Sequence, residues 1–106
     1  MVFTHYVENE TLHLGMSGDL VGDPIGEEVK VLANQHIGNG ILQCVIDIGG
    51  VRYMNSNGIG LLITLLTKFR NKGGEVYLKN PSEHVQKLLV LTKLSSIFQI
   101  SSQEEV

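Results

Sequence analysis

The chain is poor in cysteine and has no long apolar segment, and each shortage excludes a class of protein. It has 106 residues and one cysteine, Cys44, so a disulfide within the chain is impossible. No apolar run approaches the roughly 20 residues needed to cross a bilayer, and residues 1–6 lack the basic and apolar regions of a signal peptide. A net charge of -3 argues against a nucleic-acid binder, which usually has a basic face. We therefore expect a cytoplasmic protein that neither inserts into a membrane nor binds nucleic acid directly.

The length and the apolar content favour one compact domain. Hydrophobic residues make up 42% of the chain and charged residues 18%, which suffices for a hydrophobic core that needs no disulfide or metal to stabilise it. We expect a single domain over residues 1–106, with residues 101–106 as a frayed tail. Cys44 lies in an apolar run, which favours a small buried hydrophobic residue over a reactive thiol.

The first third of the chain predicts a hairpin and a helix. Residues 1–8 alternate loosely, residues 8–10 form a polar break, and apolar residues then recur at period two. Asp23-Pro24 is typical of a helix start, and we expect this helix to run to about His36, where residues 38–40 end it. The period-two residues are Leu12, Leu14 and Met16, and the apolar helix face comprises Ile25, Val29, Leu32, Ala33 and His36.

The remainder alternates strands and helices. Residues 42–48 are almost continuously apolar, which predicts a strand covered on both faces, followed by a turn at Gly49-Gly50. We then expect a helix over residues 57–71, a strand over residues 75–79, a helix over residues 82–93 and a short edge strand over residues 98–100. The order β-β-α-β-α-β-α, with a last strand, predicts an α/β fold with parallel pairing at its centre.

The long helix has one face that is apolar and a second that is not fully polar. At about 100° per residue, one group of apolar residues should pack on the sheet. On the other side, Leu61 and Leu65 either form an exposed docking patch or tuck against neighbouring elements. The first group comprises Ile59, Leu62, Ile63, Leu66 and Phe69, and the second face carries Gly60, Leu61, Thr64 and Lys68.

Ser56 lies where a strand stops and this helix starts. It is interpreted either as the helix N-cap, with its hydroxyl accepting a backbone N–H, or as a modification site. A phosphate there would add a charge of about -1.5 to -2 beside the positive end of the helix, which would tolerate it. The added group could then block docking of a partner on the neighbouring face.

The stretch from Val45 through Leu61 resembles the signature of STAS domains of the anti-sigma factor antagonist type. In that family a strand leads through an aromatic-hydrophobic pair to Asp-Ser-Ser/Thr-Gly-Leu-Gly and a helix, and here the corresponding residues are Tyr53-Met54 and residues 55–61. Gly18-Asp19-Leu20 resembles the family's turn before the first helix, and the similarity covers nearly the whole chain. The resemblance implies a mixed sheet of four to five strands with helices mainly on one face.

The resemblance also implies a function without enzyme activity or cofactors. Ser56 matches a serine that a serine-kinase anti-sigma factor phosphorylates; the unphosphorylated protein binds that kinase, and a phosphatase resets the switch. The protein itself would be a monomer or weak dimer. By resemblance Gly58, Ile59, Gly60 and Leu61 would belong to the docking surface, and we further predict partner-binding roles for Asp19, Asn55, Asn57, Thr64, Leu65 and Lys68.

Three residues depart from the family pattern and keep other functions open. Asn55 replaces an aspartate, Asn57 replaces a second serine or threonine, and Val21 replaces an aspartate that follows the turn. Removing a carboxylate beside Ser56 reduces the repulsion that a phosphate there would meet, but it also removes a contact that a kinase could need. The alternatives are an unphosphorylated STAS scaffold in a signalling or lipid-transport complex, and a sensor of a nucleotide or lipid near Ser56.

Metal binding and hydrolysis have little support in the sequence. His5 and His13 lie symmetrically about Asn9 and would face each other across the predicted hairpin, but no acidic or thiol ligand has a matching spacing. No histidine is placed to activate Ser56 as a nucleophile. We therefore expect no catalytic residue and no metal site.

Overall fold

The structure is a computed structural model that describes residues 2–21 and 25–101. Its elements follow the predicted order, with a short 3₁₀ helix added near the end. They are β1 (Val2–Glu8), β2 (Thr11–Leu20), α1 (Ile25–Gly38), β3 (Gln43–Met54), α2 (Ser56–Arg70), β4 (Glu75–Lys79), α3 (Glu83–Leu91), the 3₁₀ helix (Leu94–Ser96) and β5 (Gln99–Ser101).

The five strands form one sheet in the order β1-β2-β3-β4-β5. The hairpin pair β1–β2 is antiparallel, whereas β2–β3, β3–β4 and β4–β5 are parallel. The predicted mixed sheet with central parallel pairing is confirmed. Parallel neighbours need a crossover connection, and the three helices supply these connections.

Only one face of the sheet carries the core. Two rows of three residues, Leu12–Cys44–Val76 and Leu14–Ile46–Leu78, lie side by side across three strands, and all six side chains are buried with the inward residues of the helices. The opposite face carries His13, Val45 and Tyr77, which are half-buried or exposed. The prediction that the strand over residues 42–48 is covered on both faces is therefore wrong, because the helices pack on one side only.

The hairpin turn sets the register of β1. Asn9 and Glu10 both have positive φ, 53° and 61°, as a two-residue type I′ turn requires. Tyr6 consequently pairs with His13, and their rings stack with centroids 4.7 Å apart. His5 pairs instead with Leu14, so the prediction that His5 and His13 face each other is wrong by one residue. Among the described residues no cluster of three or more potential ligands could hold a metal ion.

Gly49 and Gly50 lie inside β3 and do not form the predicted turn. The β2–β3 register shifts here, since Gly15 pairs with Asp47 but Ser17 pairs with Gly50, which leaves one extra residue in β3 as a bulge. The backbone N–H of Gly49 donates to Asp47 Oδ1 at 2.9 Å. A Cβ at position 50 would lie 2.7 Å from the Cβ of Ser17, so only glycine fits.

The helix ends differ from the predictions by a few residues. α1 continues two residues past His36, while its predicted start at Asp23-Pro24 lies outside the described residues. α3 is capped by Ser82, whose Oγ accepts the Val85 N–H at 3.2 Å, and it ends at Leu91, two residues before the left-handed Lys93. No helix in residues 2–21 and 25–101 is long and apolar enough to span a membrane.

Candidate functional site

The start of α2 is capped by Asn55. This residue is extended, and its Oδ1 accepts the backbone N–H of Gly58 at 2.9 Å. The interpretation of Ser56 as the N-cap is therefore wrong. Asparagine is among the best N-cap residues, and its position one residue earlier leaves Ser56 inside the first turn.

The side chain of Ser56 is exposed and has no hydrogen-bond partner among the described residues. The first backbone hydrogen bond of α2 runs from the Ile59 N–H to the Asn55 carbonyl at 3.0 Å. The N–H groups that precede it form the positively polarised helix end, so Ser56 combines access for a modifying enzyme with a setting that favours negative charge.

Gly58 fixes this helix end against the sheet. A Cβ at position 58 would overlap the carbonyl oxygen of Leu20, the last residue of β2. The same carbonyl accepts the Asn55 N–H at 3.3 Å. Gly58 is buried, so it positions Ser56 by allowing a close approach of helix and strand.

α2 buries a wider arc than its pattern predicts. Leu61 and Leu65 are 3% and 0% exposed, so of the two alternatives the exposed docking patch is wrong and packing against neighbouring elements is confirmed. Ile63, predicted to pack on the sheet, is 38% exposed. The physical reason is that α2 packs against both the sheet and α1, and the Leu61 side chain lies next to Gly26 of α1. The buried residues of α2 are Gly58, Leu61, Leu62, Leu65, Leu66 and Phe69.

A cleft of about 290 Å³ lies between α1 and α2 beside Ser56. Five of the predicted site residues line it together, all from the first three turns of α2. Three residues of α1 form the other wall, and these were missed because nothing in the sequence places α1 beside Ser56. The cleft is lined by Ser56, Asn57, Gly60, Leu61 and Thr64, and by Gly26, Glu27 and Lys30.

The other predicted partner-binding residues lie outside the cleft. Asp19 is exposed near the end of β2, where Arg52 Nη2 lies 3.4 Å from its Oδ1, and the predicted turn at residues 18–20 is instead part of that strand. Ile59 is half-buried against the core, and Lys68 is half-buried in the last turn of α2. Whether these residues contact a partner stays a prediction.

Two further features lie apart from Ser56. Cys44 is fully buried in β3, and burial raises the pKa of its thiol to about 12, as expected for a core residue. A larger groove of about 840 Å³ lies between α3 and β5, with Leu89, Val90 and Phe98 in its lining, and none of the predicted site residues lines it.

A five-stranded sheet with helices on one face and a serine exposed at the start of α2 define a protein of the STAS class, and comparisons with known proteins agree. Residues 7–106 match the STAS domain family, and the chain belongs to this family. The anti-sigma-B factor antagonist of Bacillus subtilis (strain 168) is 32% identical over 88 residues, which cover 82% of this chain and 76% of the relative.

Solved structures share the fold. A candidate anti-sigma factor antagonist from Thermotoga maritima superposes with a TM-score of 0.83 at 21% identity, over 97% of this chain and 89% of that chain. The Bacillus cell fate determinant SpoIIAA in its phosphorylated form superposes with a TM-score of 0.75 at 22% identity, over 98% of this chain and 95% of that chain. The predicted STAS fold is confirmed.

Proposed function

We propose that this protein is an anti-sigma factor antagonist, a cytoplasmic protein-binding switch that is not an enzyme. In its unphosphorylated form it binds a serine-kinase anti-sigma factor, and phosphorylation of Ser56 releases that partner. The observation that carries the proposal is that the Ser56 hydroxyl is exposed beside the α1–α2 cleft and is not used to cap the helix. The similarity to the anti-sigma-B factor antagonist supports the role.

The surface around Ser56 suits a switched contact. Ser56 and Asn57 are exposed, and Gly60 leaves the cleft floor open, since a Cβ there would meet no heavy atom within 4 Å. A partner docked over this cleft would cover the Ser56 hydroxyl. A doubly charged phosphate at that position would have to be desolvated in the interface, which is costly without a pairing group on the partner.

Asn55 and Asn57, the chain neighbours of Ser56, carry no charge. Asn55 accepts the Gly58 N–H as an aspartate would, but it adds no negative charge next to Ser56. A phosphate on Ser56 therefore meets no carboxylate from its two chain neighbours. We infer that the departures from the family pattern favour the phosphorylated product while they alter what the kinase recognises.

The first test is phosphorylation by a purified serine-kinase anti-sigma factor of the same organism with ATP. Intact-mass measurement and peptide mapping should show one phosphoryl group, located on Ser56. Ser56→Ala should abolish it, whereas Ser95→Ala, which changes an exposed serine of the 3₁₀ helix, should not. Labelling that persists in the Ser56→Ala protein would contradict the assignment.

The second test is binding of the same kinase by calorimetry. Ser56→Asp should weaken binding by about tenfold or more, roughly 1.4 kcal/mol, while Ser95→Asp should leave it unchanged. Equal affinities of the two variants would refute the switch. Recovery of the phosphorylated protein's affinity after treatment with a serine phosphatase would complete the cycle, and light scattering should show a monomer or weak dimer.

Other outcomes would favour the alternative functions. If protein from native cells never carries a phosphoryl group, the unphosphorylated scaffold becomes the better account. A ligand sensor would need a stabilising nucleotide or lipid in a thermal-shift screen. At about 290 Å³, the cleft beside Ser56 lies at the lower end of the volumes typical of small-molecule pockets, which favours a protein partner.

A further inference from the structure

The α1 wall of the cleft carries a lysine that no part of the switch proposal uses. Lys30 and Glu27 both line the cleft that Ser56 lines. Lys30 Nζ lies 3.3 Å from Glu27 Oε1, and their side chains are 33% and 68% exposed. An ion pair three residues apart on an exposed helix face is weak, so Lys30 can exchange Glu27 for a stronger anion at little cost.

The cleft is large enough for that exchange. Its volume of about 290 Å³ is several times the roughly 30 Å³ that one water occupies in the liquid, so a phosphoryl group and a few waters fit. Gly60 adds no side chain to fill it. The Leu61 side chain packs against Gly26 of α1, which holds the two walls of the cleft together.

We propose that Lys30 binds the phosphate of phosphorylated Ser56 across the cleft and releases Glu27. This inference rests on the proposed modification of Ser56 and adds where the phosphate goes. In the unphosphorylated protein Lys30 is held by Glu27, and the cleft is open. In the phosphorylated protein the phosphate and Lys30 occupy the cleft together, and the freed Glu27 carboxylate adds negative charge at its rim.

The pairing gives the modified protein two ways to lose its partner. The phosphate excludes the partner from the cleft by volume, and it also withdraws Lys30, so an acidic group on the partner loses a cation to pair with. The exchange is non-covalent, so it is reversed when the phosphoryl group is removed.

The test uses protein with phosphoserine incorporated genetically at position 56, so no kinase is involved. Titration by ³¹P NMR follows the second ionisation of the phosphate, which ordinarily has a pKa of about 6. A nearby ammonium favours the doubly charged form, so the titration midpoint should lie lower than in the Lys30→Gln variant by about half a pH unit. Glu27→Gln should lower the midpoint further, because it removes a carboxylate that lines the same cleft as the phosphate and competes for Lys30.

A second lysine–glutamate pair supplies the matched control. Lys87 Nζ lies 3.8 Å from Glu83 Oε1 on α3, away from the cleft lining, so Lys87→Gln should leave the midpoint unchanged. Equal midpoints in the parent protein and Lys30→Gln would overturn the inference and leave the switch itself intact. Conversely, the midpoint could depend on Lys30 while no kinase phosphorylates Ser56. That combination would support the phosphate site at Lys30 and refute the switch. Both lysines are exposed enough for the variants to fold, and circular dichroism checks this.

Discussion

Two glycines in the first turns of α2 should respond in opposite directions to the same substitution. Gly58→Ala and Gly60→Ala each add one methyl group to a helical residue. Alanine is favoured over glycine in a helix by about 1 kcal/mol, so propensity alone predicts that both changes stabilise the protein. The surroundings decide the difference between them.

At position 60 the added Cβ meets no heavy atom within 4 Å, so the full propensity gain should appear. We expect Gly60→Ala to raise the free energy of unfolding by about 1 kcal/mol, or roughly 4–8 °C in Tm for a domain of this size. At position 58 the added Cβ overlaps the backbone oxygen of Leu20, which no rotamer change can relieve. Overpacking of this kind costs up to about 3 kcal/mol, so the net loss should be about 2 kcal/mol.

Urea denaturation followed by circular dichroism measures both values, with the m-value as a check on two-state unfolding. Gly60→Ala should also weaken binding of the proposed anti-sigma factor partner, because Gly60 lines the α1–α2 cleft and the added methyl group takes up space there. A stabilised protein that binds less well would separate the cleft's role in binding from its role in stability. Parent-like stability of Gly58→Ala would refute the claim that close contact with Leu20 sets the helix start.

The remaining predictions concern the cap, the buried thiol and an ion pair. Asn55→Ala should lower the free energy of unfolding by about 1 kcal/mol in urea denaturation, whereas Asn55→Ser should retain most of it, since serine also caps. Burial keeps reagents away from Cys44 and raises the pKa of its thiol to about 12, so at pH 8 Cys44 should react with a thiol reagent far more slowly in the folded than in the unfolded protein. Arg70 donates to Glu75 at 2.9 Å and lowers the pKa of its carboxyl below 4.5, so the unfolded state binds the proton first as pH falls. The stability lost in Glu75→Gln, at most about 1 kcal/mol, should therefore be present at neutral pH and vanish as pH falls through the folded pKa; a difference that stays constant down to the most acidic pH at which the protein remains folded would count against it.

The order of elements followed from local signals, and the central parallel pairing followed from the strand-helix-strand order. Period-two alternation marked β2, the apolar run marked β3, and the asparagine- and glycine-bounded segment marked α2. These features are set by residues close together in sequence, so the sequence alone is enough to find them. The bulge at Gly49-Gly50 was missed because two glycines favour a turn unless a neighbouring strand requires close approach, as Ser17 does here.

The details of the site depended on contacts distant in sequence. The prediction that Ile63 packs on the sheet was wrong, because apolar residues at 59, 61–63, 65 and 66 surround much of α2, and its contacts with both the sheet and α1 determine which are buried. The cap was assigned to Ser56 one residue too late, since both residues have suitable side chains. Lys30 was not recognised, because nothing in the sequence places α1 beside Ser56.

The one-sided placement of the helices has a practical use in biosensor work. Lys79 is exposed on the sheet face that the helices leave bare, in the same row as Asp47. Because the chain's single native thiol is buried, a cysteine introduced at position 79 would be the one accessible thiol for maleimide coupling. A protein immobilised through it would present its helical layer, with Ser56, to the flowing analyte.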